Sequence, residues 1–262
     1  MYTSFAEVYD QLMDNVNYER WAELYSVLLR SGEVQPGSRV CECACGTGGL
    51  TLPLSRMGYQ MTGVDLSQEM LWIAAQKARK AGQGIPFIQQ DMRRLRLHRQ
   101  MDAVLATCDG VNYLLTDEDV SLFFRAAHAA LRPGGALIFD VSTPWKLENV
   151  LGDQLLCEDR EDVTYVWQNS YSRKTGICDM TLCFFVREAD GRYRRIDEEQ
   201  KQKAHSAAGL TALLESNGFT DVHVYGNSRM EAPREKEQRW HFIARRDALA
   251  LCPQKGEHRY GC

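Results

Sequence analysis

Residues 40–51 read VCECACGTGGLT and set three cysteines and one acid ahead of a cluster of glycines. Two chemistries fit such a stretch. The C-x-C-x-C spacing of Cys41, Cys43 and Cys45 could offer thiolates to a soft metal. Glycines between a strand and a helix could instead offer backbone N–H groups to a bound ligand. The metal reading is the weaker one. Cys41 and Cys43 fall in a short apolar strand whose backbone must enter a sheet, and no other Cys or His group has zinc-ribbon or zinc-finger spacing. Cys41 and Cys43 read as small buried hydrophobes, and no metal is expected.

The glycine reading narrows further. Gly46 and Gly48 let the chain turn tightly and let a ligand approach the backbone closely. A nicotinamide fingerprint, G-x-G-x-x-G, would need its third glycine at Thr51, so that pattern fails and an oxidoreductase is disfavoured. Glu42 would repel a pyrophosphate but suits a cationic ligand. Acids recur where later strands should end, at Asp65, Asp91 and Asp109.

These side chains need a scaffold, and the hydrophobic pattern supplies one. Phe5, Val8, Tyr9, Leu12 and Met13, then Trp21, Leu24, Tyr25, Leu28 and Leu29, repeat at i, i+3, i+4, i+7 and i+8, which predicts two amphipathic helices. QPGS breaks the chain before the strand RVCEC. YQMTGVD, PFIQQD and MDAVLATCD predict strands ending at Asp65, Asp91 and near Asp109, with a helix over about 50–57. Ser67 can cap a helix with Glu69 in its first turn. Thr116 and Asp119 form a capping pair for a helix running to Leu131. RPGG stops that helix before the strand ALIFDVS. Strands alternating with helices of this length predict a parallel sheet with helices on both faces.

The pattern changes after Pro144. Met180, Leu182, Phe184 and Val186 alternate with polar or smaller residues, Asp190-Gly191 signals a hairpin turn, and 163–167 and 192–196 read as flanking strands. An antiparallel β insertion is expected over 152–204. Ser206 then caps a helix that Gly218 ends, followed by the strands TDVHVYG and RWHFIARR.

The whole chain excludes several classes. Its 262 residues suffice for a sizeable core, and a net charge of −4 argues against a dedicated nucleic-acid binder. The basic run Arg93–Arg99 reads as a solvated edge. No apolar run is long enough to span a membrane. The N-terminus carries acids and no apolar signal region, and nine cysteines then read as reduced thiols, so a cytoplasmic location is expected.

Taken together, these stretches carry a resemblance. VCECACGTGGLT resembles motif I of class I S-adenosylmethionine-dependent methyltransferases, GVDLSQEML motif II, QQDM motif III, DAVLATCDGVNYLL motif IV and LRPGGALIFDV the motif after it. It is strong over residues 36–145 and continues weakly through LLESNGF. The chain as a whole is similar to small-molecule members of the glycine and aminosugar N-methyltransferase type. The resemblance implies an α/β fold: a Rossmann-like seven-stranded sheet, its last strand antiparallel, with an antiparallel β insertion and an N-terminal helical lid. It divides the chain into a lid at 1–35, a cofactor-binding domain at 36–151 and 205–250, the insertion at 152–204 as substrate cap or dimer contact, and a flexible tail at 251–262.

The same resemblance implies roles. Glu42 sits near the methionine amino group, and Ala44, Gly46 and Gly48 cradle the methionine and ribose. Asp65 accepts from the ribose hydroxyls, Leu66 and Met70 flank the adenine, Asp91 takes its amino group, and the Met92 N–H meets a ring nitrogen. Cys108 reaches the methionine moiety. Cys43, Cys45, Thr47, Ser67 and Asp109 complete the expected cofactor contacts. Tyr9, Tyr18 and Trp21 either close over the cofactor or simply pack at helical spacing. The activated methyl calls for alignment more than for a strong base, so no triad is expected. Asp109, Asn112 and Tyr113 follow the fourth strand and are candidates near the transferred methyl. Asn112, Tyr9 and His205 are the candidate catalytic residues, although Asn112 cannot act as a base. The acceptor is expected to be a small, polar or neutral metabolite, methylated at N or O, by a monomer or homodimer. The alternatives are an RNA-directed enzyme and a protein that binds S-adenosylmethionine without turnover. CDGVNY in place of (N/D)PPY counts against DNA and protein-glutamine N-methyltransferases, and the absence of a Pro-Cys pair counts against a cysteine nucleophile at Cys108.

Overall fold

A computed structural model describes residues 6, 9, 10, 16–226 and 230–248. The expected tail, 251–262, and most of the first helix of the expected lid lie outside the described residues; within that helix Ala6, Tyr9 and Asp10 are helical.

The main sheet has seven strands, in the order β10-β11-β5-β4-β1-β2-β3. Inside it, β1 (Arg39–Cys43) is flanked by the central strand β4 (Met101–Ala106) and by β2 (Gln60–Asp65), which pairs in turn with β3 (Phe87–Gln89). On the far side, β5 (Leu131–Ser142) joins β11 (Arg239–Arg246), and β11 joins β10 (Phe219–Tyr225). All pairings are parallel except those of β11, which runs antiparallel to both neighbours. Val40, Cys41, Val104, Leu105, Leu137 and Ile138 are fully buried, as a parallel sheet covered on both faces requires.

Two apolar layers provide that cover. Cys41, Cys43 and Val104 face α4 (Asp117–Ala130) and α5 (Ala207–Ser216), through Phe123, Phe124 and Leu210. Val40, Ala103 and Leu105 face α1 (Tyr18–Ser31) and α2 (Thr51–Arg56), through Tyr25, Leu28 and Leu54. The helix starts follow the chemistry of the sequence. Ser67 accepts from the Met70 N–H at the head of α3 (Gln68–Lys80). Thr116 accepts from Asp119 N–H and donates back to its carboxylate. Ser206 accepts from Gly209 N–H, and α5 ends at Asn217 before Gly218, whose φ is +87°.

Three boundaries differ from expectation, each for a local reason. β3 stops at Gln89, because the Asp91 carboxylate turns to accept from Arg93 N–H and caps a 3-10 turn over Met92–Arg94. β4 stops at Ala106, because Cys108 and Asp109 leave the strand at φ 53° and 65°. β5 starts at Leu131 and takes RPGG into its length, since Leu131 pairs with Met101 before the register shifts ahead of Ala136.

Between β5 and α5 lies a separate antiparallel sheet: β6 (Leu155–Asp159), β7 (Val163–Ser172), β8 (Ile177–Arg187) and β9 (Tyr193–Lys203), in chain order. Its inner face, with Val163, Met180, Leu182, Phe184 and Ile196, packs with Ala6 and with Met70 of α3. The insertion and the N-terminal helix therefore share one apolar cluster that reaches α3. No described helix is long and apolar enough to cross a membrane, and the seven described cysteines are free thiols.

Candidate active site

A cavity of about 350 Å³ opens at the C-terminal ends of the parallel strands. One side of its lining comes from the glycine loop and the ends of β2 and β3: Gly46, Asp65, Leu66, Met70, Asp91 and Met92. The other side comes from the N-terminal helix, the segment after β4 and the insertion: Tyr9, Cys108, Gly110, Tyr113, Leu114 and Gln200.

The glycine loop is shaped for close approach. Gly46 has φ +53°, and a Cβ there would meet nothing within 4 Å, so its backbone faces open space. Gly48 serves packing instead: at φ +75° its Cβ would come within 2.8 Å of Leu52 and 3.2 Å of Ala74. The Asp65 carboxylate closes the floor. One oxygen accepts from Gly46 N–H at 2.8 Å and the other from Ser67 N–H at 2.9 Å. Burial pushes its carboxyl up, and those backbone donors pull it partly back. Each oxygen keeps a lone pair, so the group can still accept two further hydrogen bonds from a diol.

Behind the loop lies a recess of about 30 Å³, lined by Tyr9, Tyr18, Glu42, Thr47, Thr107 and Cys108 among others. Glu42 is 1% exposed and, among the described residues, pairs with hydroxyls only: Thr107 donates at 2.7 Å, and Thr51 donates to the other oxygen. Burial raises its pKa to about 7, although the two hydroxyls oppose the shift. A buried carboxyl with no cation beside it is a receptor for a cationic group. Tyr9, Ala44, Gly46 and Cys108 line both spaces. Asp10 ties the N-terminal helix over the loop: its carboxylate accepts from Thr47 Oγ1 at 2.6 Å and from Lys77 Nζ at 2.9 Å.

Asp91 sits at the cavity wall with Arg93 donating to both of its oxygens, and Arg93 also reaches Asp119 at 2.6 Å. That guanidinium holds the Asp91 carboxyl below the usual range.

Six expected residues do not line these spaces, the packed Gly48 among them. Cys43 is fully buried in the α4 and α5 layer, because its strand position points away from the loop. Trp21 packs against Tyr25 and His241 and carries Arg239 over its ring at 5.0 Å. Asp109 turns its carboxylate to Arg239. Asn112 lines neither space: its amide donates to Ser142 O at 3.0 Å and Lys203 O at 2.9 Å and accepts from Ser142 N–H at 2.9 Å. Those bonds tie the 3-10 turn Gly110–Tyr113 to β5 and to the insertion. His205 is buried beneath Leu114, bonded to its carbonyl at 2.9 Å, and burial lowers its pKa. Both were expected as catalytic candidates; in the structure each side chain bonds to backbone groups of other segments and lines neither space.

Sequence reasoning missed Thr51, Thr107, Gln200 and the buried Tyr25–Asp140–Arg239 group. Thr107 was visible as a polar residue after β4, but its partner Glu42 lies 65 residues away, and Tyr25 lies 115 from Asp140. Partnerships at such distances leave no local pattern.

Strand ends that present a glycine loop, a strand-end acid and a buried carboxyl, on a seven-stranded sheet with β11 reversed, define the class I S-adenosylmethionine-dependent methyltransferase. The donor set fits that cofactor: Asp65 for the ribose, Glu42 for an ammonium, Leu66 and Met70 as apolar walls.

The chain belongs to that family, as its relatives show. The family described as "Methyltransferase domain" matches residues 40–135. A putative methyltransferase of Geobacillus sp. (strain WCH70) is 34% identical over 94% of this chain and 99% of the relative. A glycine/sarcosine N-methyltransferase of Aphanothece halophytica is 30% identical over 87% of this chain and 88% of its own. The crystal structure of an S-adenosylmethionine-dependent methyltransferase from Clostridium acetobutylicum ATCC 824 superposes with a TM-score of 0.84 at 28% identity, covering 94% of this chain and 99% of that one. The sugar N-methyltransferase KedS8 of Streptoalloteichus sp. ATCC 53650 shares the fold, with a TM-score of 0.73 at 22% identity over 92% and 93%.

Proposed function

We propose that the chain transfers the methyl group of S-adenosylmethionine to a small polar metabolite, at an amine nitrogen or a hydroxyl oxygen. The acceptor lies at the side of the cavity formed by Tyr9, Tyr113, Leu114 and Gln200. One observation carries the reading: Tyr9, Tyr113, Leu114 and Gln200 bear no formal charge, the one cation among the described residues of the cavity lining, Arg93, is paired with Asp91 and Asp119, and the Tyr113 hydroxyl donates to Gln200 Oε1 at 3.0 Å between the 3-10 turn and the insertion. Uncharged hydrogen-bonding groups suit a neutral nucleophile with its lone pair free. They offer nothing to a phosphate backbone, which needs basic side chains. The amine is favoured by the likeness to a glycine/sarcosine N-methyltransferase over most of both chains.

Bound in this site, the cofactor supplies a methyl group already activated by its sulfonium. The protein's residues then bind and align. Glu42 takes the methionine ammonium, Asp65 the ribose diol, Leu66 and Met70 the adenine faces, and Asp91 with Met92 N–H the adenine edge. Tyr9 and Cys108 border both the recess and the cavity, so the methyl is presented between them. The tyrosines are not bases: burial, first of all, raises the hydroxyl pKa of both Tyr9 and Tyr18. Alignment and exclusion of water carry the acceleration.

The test is turnover. Purified protein and S-adenosylmethionine are incubated with a panel of small amines, hydroxylated metabolites and short RNAs, and S-adenosylhomocysteine is measured. Product with a small amine or alcohol supports the reading, and product with RNA alone overturns it.

A further inference from the structure

The segment after β4 carries an arrangement that neither the cofactor contacts nor the acceptor side uses directly. Cys108 and Asp109 are consecutive, neither is glycine, and both hold left-handed φ values, 53° and 65°. L side chains disfavour this conformation, so something must hold it. A single carboxylate does. Asp140 of β5, fully buried, accepts from Cys108 N–H at 2.8 Å on one oxygen and from Asp109 N–H at 3.1 Å on the other. Tyr25 of α1 donates to the first oxygen at 2.6 Å, and Arg239 of β11 to the second. Arg239 also bridges to Asp109, at 3.2 Å through Nη2. Lys146 stands 4.0 Å from Asp109 and donates to Ser142 at 2.9 Å. Two acidic and two basic side chains are thus balanced in one largely buried group.

We propose that Asp140 and Arg239 are positioning residues for methyl transfer, which fix the Cys108–Asp109 turn so that it forms the wall between recess and cavity. The turn is placed for that task. Thr107, just before it, donates to Glu42; Cys108 lines both spaces; Gly110 and Tyr113, just after it, line the acceptor side. Asp140 and Arg239 line neither space, so they act on a ligand only through the turn. Strain held by a dedicated carboxylate at a site wall has a function to serve, whereas a buried ion pair kept for stability alone has no need to force two residues left-handed.

The experiment rests on the cofactor site and not on the identity of the acceptor. S-adenosylhomocysteine is titrated calorimetrically into the wild-type chain, Tyr25→Phe, Asp140→Asn and Phe124→Leu, with amide hydrogen exchange followed at Cys108 and Asp109. Phe124 packs on Phe139 and Phe219, bonds to none of the groups that hold the turn, lines neither space, and serves as the control for lost stability. Asp140→Asn is expected to weaken binding at least tenfold, because the carboxamide presents a donor to one of the two N–H groups. Exchange at both amides should accelerate in the same variant. Tyr25→Phe should weaken binding about threefold, and Phe124→Leu should lower the melting temperature with affinity unchanged. Equal affinity in a folded Asp140→Asn with faster exchange overturns the proposal, as does an equal loss in Phe124→Leu. Should Asp140→Asn fail to fold, Tyr25→Phe decides: accelerated exchange with unchanged affinity overturns the proposal, and weakened affinity supports it.

Discussion

The two sides of the cavity are built on opposite plans. The cofactor side is made by strand ends and backbone: Gly46, Asp65 and Asp91 stand at fixed places after β1, β2 and β3, in segments that fold locally. The side proposed for the acceptor is made by side chains from three separate places, with Tyr9 before α1, Tyr113 after β4 and Gln200 on β9 brought together by tertiary packing. The first plan fixes one ligand by geometry the sheet imposes on any chain with this pattern. The second leaves the ligand to a handful of exchangeable side chains on a rigid frame, which is how one fold serves many acceptors.

The sharpest way to break that comparison is at Asp65. If the cofactor side rests on the strand-end acids, Asp65→Ala removes two charge-assisted hydrogen bonds worth about 1.5–3 kcal/mol each. Calorimetric affinity for S-adenosylhomocysteine should then fall at least 100-fold. A loss under tenfold would mean that the loop backbone, not the acid, holds the ribose.

Glu42 gives the next largest effect and a distinctive pH dependence. Its folded pKa of about 7 means that the empty site is protonated below neutrality. A bound ammonium favours the ionised form, so binding expels that proton, and affinity should drop roughly tenfold between pH 8 and pH 6. Glu42→Gln should flatten the profile over that window. Stability runs the other way. A carboxyl raised from 4.5 to about 7 contributes stability that is complete below the unfolded value and lost as pH rises to 7. The ligand-free wild type should therefore lose stability, on the order of 3 kcal/mol at most, between those limits relative to Glu42→Gln. Thermal denaturation across pH 4.5–7 measures it.

The acceptor side should respond in the opposite parameter. Gln200→Ala and Tyr113→Phe each remove one member of the 3.0 Å pair that spans the insertion and the 3-10 turn. Each should raise KM for the acceptor about 3–10-fold, the worth of one neutral hydrogen bond, and leave cofactor affinity unchanged. A change in cofactor affinity instead would place this pair on the wrong side of the division.

What the sequence made legible follows the same division. The seven strands, the caps at Ser67, Thr116 and Ser206, and the acids at 42, 65 and 91 are local signals, written within a few residues by period, turn chemistry and glycine placement. Asn112 and His205 misled because residue type and position after β4 or after the insertion say nothing about which way an amide or imidazole turns; both were claimed by backbone groups of other segments. The turn held by Asp140 was illegible for the same reason. Left-handed Cys108 and Asp109 contradict local propensity, and only a carboxylate more than 30 residues away makes them affordable. Where local preference and tertiary demand disagree, the sequence read locally gives the wrong answer, and here the disagreement falls at the site.

The smallest effect tests one detail of the cofactor side. Arg93 donates to both oxygens of Asp91 through its backbone N–H, Nε and Nη2. An adenine amino group placed at Asp91, as proposed, would therefore compete with a guanidinium for the same lone pairs. Arg93→Ala removes two of those donors and the contact to Asp119 while leaving the backbone N–H in place. The pairs are partly solvated, with the Arg93 side chain 39% exposed, so their loss should cost under about 1 kcal/mol of stability. Freed of its partner, Asp91 should bind the adenine amino group better, and S-adenosylhomocysteine affinity should rise by about two- to threefold at low ionic strength. Affinity should fall back toward the wild-type value in Arg93→Ala combined with Asp91→Asn. If Arg93→Ala instead weakens binding, the guanidinium itself belongs to the adenine site, and the division between a backbone-built and a side-chain-built half loses its cleanest edge.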